Sequence, residues 1–200
     1  QMVRVGIDSL PVVLLTALFT GMVMALQTFS TLKRFNAEGF VGSLVALSMV
    51  RELPPVIASL LIAGRCGSAM GAELGTMRVS EQVEALEVMA INPVQFLVVP
   101  RFLAMMVMLP VLTVAGTYIG ILGGWAICHF ALDMTTAGYV LRAIEAAQLG
   151  DLYSGLCKSV VFAWLIVTIA AHAGLKVEGG AEGVGTSTTL SVVRSLLAIL

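Results

Sequence analysis

The chain has 200 residues, of which 58% are hydrophobic and 12% charged, with 11 basic and 12 acidic residues and a formal net charge of −1; its mean hydropathy is +1.00. A soluble domain carries about 25% charged residues, so half that share in so apolar a chain specifies a multi-pass membrane protein. With no basic patch to neutralise phosphates, nucleic acid is excluded as a partner.

Residues 1–9 hold Arg4 and Asp8 and read as the end of an interfacial segment. The chain opens with Gln1 and without a signal-peptide n-region, which reads as a trimmed N-terminus. Residues 10–29 carry no charge and match the ~20 residues that span a bilayer, so they form the first span. Residues 30–39 are a polar loop. Residues 40–75 form a longer hydrophobic run interrupted by Arg51, Glu52 and Arg65. A proline removes a backbone donor and clashes one turn back. The run is therefore one long spanning unit kinked at Pro54-Pro55, in preference to two pieces broken there.

Residues 79–91 are too short and too charged to span. Ser80 is a good N-cap, and Glu81 and Glu84 lie in the first turn, where the helix dipole favours acid. Val79, Val83, Leu86 and Ala90 share one face, and Glu81, Glu84 and Glu87 the other. Asn92-Pro93 stops this helix, because the residue before proline avoids the α region. Residues 102–128 form the next span, with GILGG at 120–124 near its far end. Residues 131–152 are a loop with a short helix around 136–148, and residues 153–173 form another span. Residues 174–189 read as a Gly-rich flexible loop. Residues 190–200 open a fifth spanning helix but reach only half its length. If the acidic helix is cytoplasmic, Arg4, Arg78, Arg101 and Lys176 lie inside and Lys33, Arg34 and Arg142 outside, a slight positive-inside bias.

Few residues can carry chemistry. Arg51 and Glu52 are adjacent, about 100° apart on a helix, and do not pair well with each other. Ionisable groups in a membrane are expensive and face a cavity or a partner; the competing reading has Arg51 snorkelling to headgroups. Gly64, Gly67, Ser68, Gly71, Ala72 and Gly75 make a stripe of small residues of the kind that lets helix backbones approach. Arg65 and Glu73 beside it sit at headgroup level or in internal ion pairs. Cys66, Cys128 and Cys157 have no metal spacing and read as buried small hydrophobes. His129 and His172 are lone interfacial histidines, since a metal site needs several convergent donors. No HExxH occurs, and GGAEGVG at 179–185 lacks the lysine of a P-loop and the strand of a dinucleotide-binding turn. The chain thus has no catalytic or metal-binding constellation, and any ATP must be bound by another chain. A secondary transporter or channel with Arg51, Glu52, Arg65 and Glu73 as a charge relay is the alternative; an inverted repeat would favour it, and none is evident. An intramembrane enzyme is the third reading, without a catalytic constellation to support it.

REL-x-PV at 51–56, AGR-x-GSA at 63–69, AE-x-G-x-M at 72–77, EQ at 81–82, LE-x-MA at 86–90, NP at 92–93 and PRF at 100–102 stand at fixed offsets. GGAEGVG at 179–185 and TT-x-x-VV-x-S at 188–195 come after them. With these motifs the sequence resembles, along essentially its whole length, the MlaE (YrbE-type) permease family of bacterial lipid ABC transporters. Pro54 departs from the family's usual glycine. The resemblance implies an all-α integral membrane permease forming a single domain over residues 1–200. That domain has about five transmembrane helices, the last cut short, and a short cytoplasmic coupling helix. It also implies a homodimer in the inner membrane of a Gram-negative bacterium, with a cytoplasmic ATPase subunit that binds the ATP and Mg. A periplasmic MCE-domain protein joins it, and in some systems a STAS-domain protein. The substrate is phospholipid, moved between inner and outer membranes to maintain outer-membrane lipid asymmetry. By the same resemblance Arg51 and Glu52 lie at a lipid cavity between two copies. Glu81, Gln82, Glu84, Leu86, Glu87 and Met89 belong to the helix that couples to the ATPase.

Overall fold

The computed structural model describes residues 1–132 and 134–200. Among the described residues all regular structure is helical: α1 (Met2–Val5), α2 (Leu10–Lys33), α3 (Val41–Arg51), α4 (Leu53–Ile62), α5 (Ser68–Val79), α6 (Gln82–Val88), α7 (Val99–Phe130), α8 (Thr136–Ala146), α9 (Leu149–Leu175) and α10 (Gly180–Ile199). Four stretches are long and apolar enough to cross a membrane: Met2–Lys33, Leu53–Val79, Val94–Phe130 and Leu149–Leu175. The all-α membrane fold expected from the apolar spans and the family resemblance is therefore present. Where about five spans were expected, α10 runs for 20 residues but is rich in glycine, serine and threonine and falls short of the apolarity of the other four.

Several local expectations are corrected. Residues 40–75 are two pieces. Helix α3 ends at Arg51, Glu52 leaves the helical region with φ −132° and ψ −56°, and α4 restarts at Leu53. This places Pro54 and Pro55 in the first turn of α4, where backbone N–H groups lack intrahelical acceptors and proline is tolerated. The prolines leave the carbonyls of Val50 and Arg51 without their usual donors. Lys158 Nζ donates to the Arg51 carbonyl at 3.2 Å. The Val50 carbonyl faces Gly155 so closely that a Cβ there would lie 2.6 Å away. A turn of wider π-helix, Ala63–Gly67, separates α4 from α5, and another, Val94–Val98, precedes α7.

Ser80 does not cap the acidic helix. Its hydroxyl donates back to the Thr76 carbonyl at 2.8 Å and closes α5. Glu81, at φ +58°, makes the turn instead, and α6 covers only Gln82–Val88. Asn92 acts on the helical turn after it: its Oδ1 accepts from the Val94 N–H at 3.0 Å. The first span continues through Lys33, into the stretch expected to be loop. Of the Gly-rich segment read as a loop, residues 176–179 lie outside the helices, and Gly179 and Gly180, with φ values of +87° and +72°, make the turn into α10. Packing overrides glycine's weak helix propensity there. Cys66 and Cys128 are buried as expected, but Cys157 is exposed.

The contacts divide the chain into two units. The first comprises Gln1–Ser9, Ser59–Leu109 and Val160–Leu200. In it α10 lies against α5. Ser187 donates to the Ala173 carbonyl at 2.7 Å, and Ser191 stands 3.9 Å from where a Gly71 Cβ would be. The second comprises Leu10–Ala58 and Pro110–Ser159. Its core joins Val41, Val45 and Met49 of α3 to Tyr139 and Ala143 of α8, with Ala25 and Cys128. Gly42 admits α8 closely, since a Cβ there would sit 2.7 Å from the Tyr139 carbonyl oxygen. Burial pushes the Tyr139 phenol above its ordinary range. It stays protonated and donates to the Ile121 carbonyl at 3.2 Å.

Candidate functional site

Two charged groupings and one amphipathic helix hold most of the polar side chains singled out in the sequence. The first grouping forms at the α3–α4 break, in the second unit. Arg51 Nε lies 3.4 Å from Asp151 Oδ1, and the Arg51 side chain is 54% exposed. Lys158 reaches the same place through the Arg51 carbonyl. Glu52 is exposed and, among the described residues, joins no ion pair. Arg51 and Glu52 therefore do not pair with each other. The break supplies an arginine fork with donors beyond its Nε, a lysine and an open carboxylate, all bordered by apolar helix. Such a group can hold an anion attached to an apolar body. Sequence reasoning identified Arg51 and Glu52 but not Asp151 or Lys158, which are about a hundred residues away and look like ordinary ends of a span.

The second grouping lies in the first unit. Glu73 on α5 accepts from Arg4 at 2.6 Å through Oε1 and from Arg101 at 3.0 Å through Oε2. Arg101 is 5% exposed and also donates to the Leu97 carbonyl at 2.6 Å. Arg65 donates to the Asp8 carbonyl and, at 3.2 Å, to Ser9 Oγ. Both ionisable residues beside the small-residue stripe thus have internal partners, and Arg65 and Glu73 belong to a structural cluster. Of that stripe, Gly67 and Gly75 sit at close approaches. A Cβ would meet Ile166 at 3.3 Å and Val177 at 2.9 Å respectively. At Gly71 the contact is ordinary, 3.8 Å from the Ala170 carbonyl. At Gly64 nothing lies within 4 Å, so it is no packing position within this chain, because it falls in the π turn and faces outward.

Helix α6 buries Val83 and half-buries Leu86, while Glu81, Gln82, Glu84, Glu87 and Met89 are exposed. Glu84 pairs with Arg78 at 3.3 Å. Of the face read as apolar, Val79 and Ala90 are exposed, because the left-handed turns at Glu81 and Ala90 end the helix on either side. Val88 is 88% exposed next to Met89, an apolar edge on an otherwise acidic projection. A groove beside it is lined by Arg78, Val83, Glu87, Ile91, Pro93 and Leu175. Among the described residues no cluster of His, Cys, Asp or Glu has the makings of a metal site. His129 stacks on Trp125 with ring centroids 5.7 Å apart, and His172 is exposed.

Comparison with known proteins gives this geometry its setting. The family model described as Permease MlaE matches residues 1–200. A probable ABC transporter permease protein of Rickettsia prowazekii is 40% identical over the whole chain, which covers 77% of that relative. One from Synechocystis is 42% identical, again over the whole chain and 76% of the relative. The intermembrane phospholipid transport system permease protein MlaE of Haemophilus influenzae is 39% identical, over the whole chain and 77% of the relative. The chain is a transporter permease, with ATP hydrolysis assigned to a separate subunit, and it belongs to the MlaE permease family.

Proposed function

We propose that this permease moves phospholipid between the inner and outer membranes of a Gram-negative bacterium, maintaining outer-membrane lipid asymmetry, and that a partner ATPase drives it. The observation that carries this reading is the likeness, along the whole of this chain, to the Haemophilus protein named for intermembrane phospholipid transport. In this reading two copies pair in the inner membrane, and the two units of each work as one permease domain over residues 1–200. A periplasmic MCE-domain protein completes the path, and a STAS-domain protein joins the ATPase in some systems. ATP and Mg are held by the ATPase, and this chain needs no cofactor of its own.

Arg51 and Glu52 face the lipid cavity between the copies. A lipid has an anionic head and apolar tails, so its path needs an apolar wall with a few polar anchors. Arg51 attracts the phosphate, and Glu52 repels it to promote release. Alanine at either position, in the full-length transporter, is expected to lower lipid transfer between vesicles while leaving assembly with the ATPase intact. Photo-crosslinkers at 51 and 52 are expected to capture phospholipid. Normal transfer by both variants together with no captured lipid would remove these residues from the path.

The acidic helix α6 is the element that docks on the ATPase, with Glu81, Gln82, Glu84, Leu86, Glu87 and Met89 at the contact. Glu81→Lys with Glu84→Lys is expected to weaken ATPase association about tenfold, the scale of ~1.4 kcal/mol from reversed rim charges. The membrane part should stay folded, because the Arg78–Glu84 pair is exposed and contributes at most about 1 kcal/mol. Unchanged co-purification and ATPase activity would place the contact elsewhere.

A further inference from the structure

The charged cluster of the first unit leaves one carboxylate unused. In the stretch Leu53–Val79, residues 53–64 carry no charge, and the charges begin with Arg65 and Glu73. Charge is costly in hydrocarbon, so the π turn at Ala63–Gly67 marks where the apolar layer gives way to headgroups. The segment before the first span lies at the same level. Arg65 donates to the Asp8 carbonyl and, at 3.2 Å, to Ser9 Oγ, and Arg4 pairs with Glu73 at 2.6 Å. Met2, Val3 and Ile7 of that segment are exposed and apolar, as suits an element seated at the edge of a bilayer.

Between this segment and α5 is a cavity of about 210 Å³. Buried Cys66 and Met70 line it, and Arg4, Asp8, Arg65 and Glu73 supply its polar wall. The four charged groups are not equally occupied. Glu73 is engaged at both oxygens, Oε1 by Arg4 and Oε2 by Arg101. Arg65 makes both of its contacts through one nitrogen, Nη1, so the rest of its fork is free. Arg4 likewise uses only Nη1. The Asp8 carboxylate joins no hydrogen bond or ion pair among the described residues, although the Asp8 backbone carbonyl touches Arg65. Free guanidinium donors and a free carboxylate thus stand side by side at the wall of one small cavity. With Arg101 behind Glu73, three arginines oppose two carboxylates, Asp8 and Glu73, which leaves one positive charge. That balance draws a phosphate, but a phosphate without a cation of its own is repelled by the open Asp8 carboxylate. A ligand with an ammonium a short linker away from its phosphate answers both. The phosphate takes the spare arginine donors and the ammonium takes the carboxylate, through charge-assisted hydrogen bonds.

We propose that this cavity binds an ammonium–phosphate zwitterion, carried either by the headgroup of an aminophospholipid in the adjacent leaflet or by its soluble glycerophosphate ester. It is a resident site between α1 and α5 and does not depend on what the permease transports. The test uses the full-length transporter in nanodiscs that contain equal amounts of phosphatidylethanolamine and phosphatidylglycerol. A compact photo-crosslinker replaces Ala69, an exposed residue of the cavity wall, or Ile7, exposed on the neighbouring segment but outside the wall. The ratio of phosphatidylethanolamine to phosphatidylglycerol captured from 69 is expected to exceed that from 7 about fivefold, the scale of one exposed charge pair. Asp8→Asn keeps the backbone carbonyl that Arg65 uses and removes only the charge. The lost carboxylate makes no hydrogen bond, so folding is not at stake. This variant is expected to bring the ratio from 69 down to that from 7. Millimolar glycerophosphoethanolamine in the bath distinguishes the two carriers: capture from 69 that persists assigns the zwitterion to the lipid, and capture that disappears assigns it to the soluble ester. Equal ratios from 69 and 7 in the parent protein overturn the proposal, and are the result if Asp8 and Arg65 pair only with each other. A raised ratio that Asp8→Asn leaves unchanged overturns it as well. So does crosslinking of 69 to a protein band in place of lipid, which gives the wall to a partner.

Discussion

Replacing Gly21 with alanine is expected to destabilise the second unit by on the order of 3 kcal/mol, at the upper end of what overpacking usually costs. An added Cβ at Gly21 would lie 1.9 Å from the Gly120 carbonyl oxygen and 2.7 Å from its carbon. The approach is reciprocal, since a Cβ at Gly123 would lie 2.4 Å from the Leu18 carbonyl oxygen. These are backbone atoms, which cannot turn aside as a side chain can, so α2 and α7 would have to separate. Alanine's better helix propensity offsets only about 1 kcal/mol. The same arithmetic gives the opposite result at Gly71. There the Cβ meets its nearest atom at an ordinary 3.8 Å, so Gly71→Ala should be neutral or slightly stabilising. Gly67→Leu and Gly71→Leu, with three more carbons to place, should again be destabilising. Thermal unfolding of the full-length protein in detergent separates the cases. A Gly21→Ala protein that melts with the parent would mean that the two helices are not in backbone contact.

The origin of these contacts shows what the sequence could and could not convey. The spans are legible because twenty uncharged residues have few other uses. The small-residue stripe at 64–75 is legible as a spacing, and two of its glycines do sit at close approaches. Yet among the tightest approaches are those of Gly21, Gly120 and Gly123, in segments that read simply as spans. GILGG at 120–124 is the visible signal, but its partner, a lone glycine in α2, has nothing to mark it. Pro54-Pro55 signals a disturbance of the helix near Glu52, but a kink and a restart differ only in whether other groups take up the freed carbonyls. Lys158, which donates to the Arg51 carbonyl, and Gly155, whose missing side chain leaves room for the Val50 carbonyl, are distant in sequence. Residues 180–189 read as loop rather than helix for the same reason. Glycine, serine and threonine disfavour a helix locally, whereas α5 rewards small side chains on its partner with close packing. At the candidate site, charge in an apolar run singles out Arg51 and Glu52. The apolar cavity near them, lined by Val50 of α3 and by residues of α7, α8 and α9, could not be inferred, because only packing sets the register of four helices.

Glu73→Ala is expected to lower stability by roughly 3 kcal/mol, and the reason lies in its partner. Removing one member of a buried ion pair leaves an uncompensated charge, which typically costs about 3–5 kcal/mol. The Arg101 side chain is only 6% exposed and the Glu73 side chain 36%, so the lower end of that range applies. The Leu97 carbonyl remains an acceptor for Arg101 but carries no neutralising charge. The Arg4 side chain, 70% exposed, makes the other contact to Glu73. Arg4→Ala should therefore change stability by less than about 1 kcal/mol. Glu73→Gln keeps an acceptor oxygen and should fall between the two. The decisive variant is Glu73→Leu combined with Arg101→Met. Replacing both charges by apolar groups of similar size is often neutral, so the double variant should be more stable than Glu73→Leu alone. Unfolding of the four proteins of this cycle in the same detergent gives the coupling energy directly. A double variant no better than Glu73→Leu would show that Arg101 is not left stranded by the loss of Glu73, and that the cluster joins α1, α5 and α7 by geometry rather than by charge.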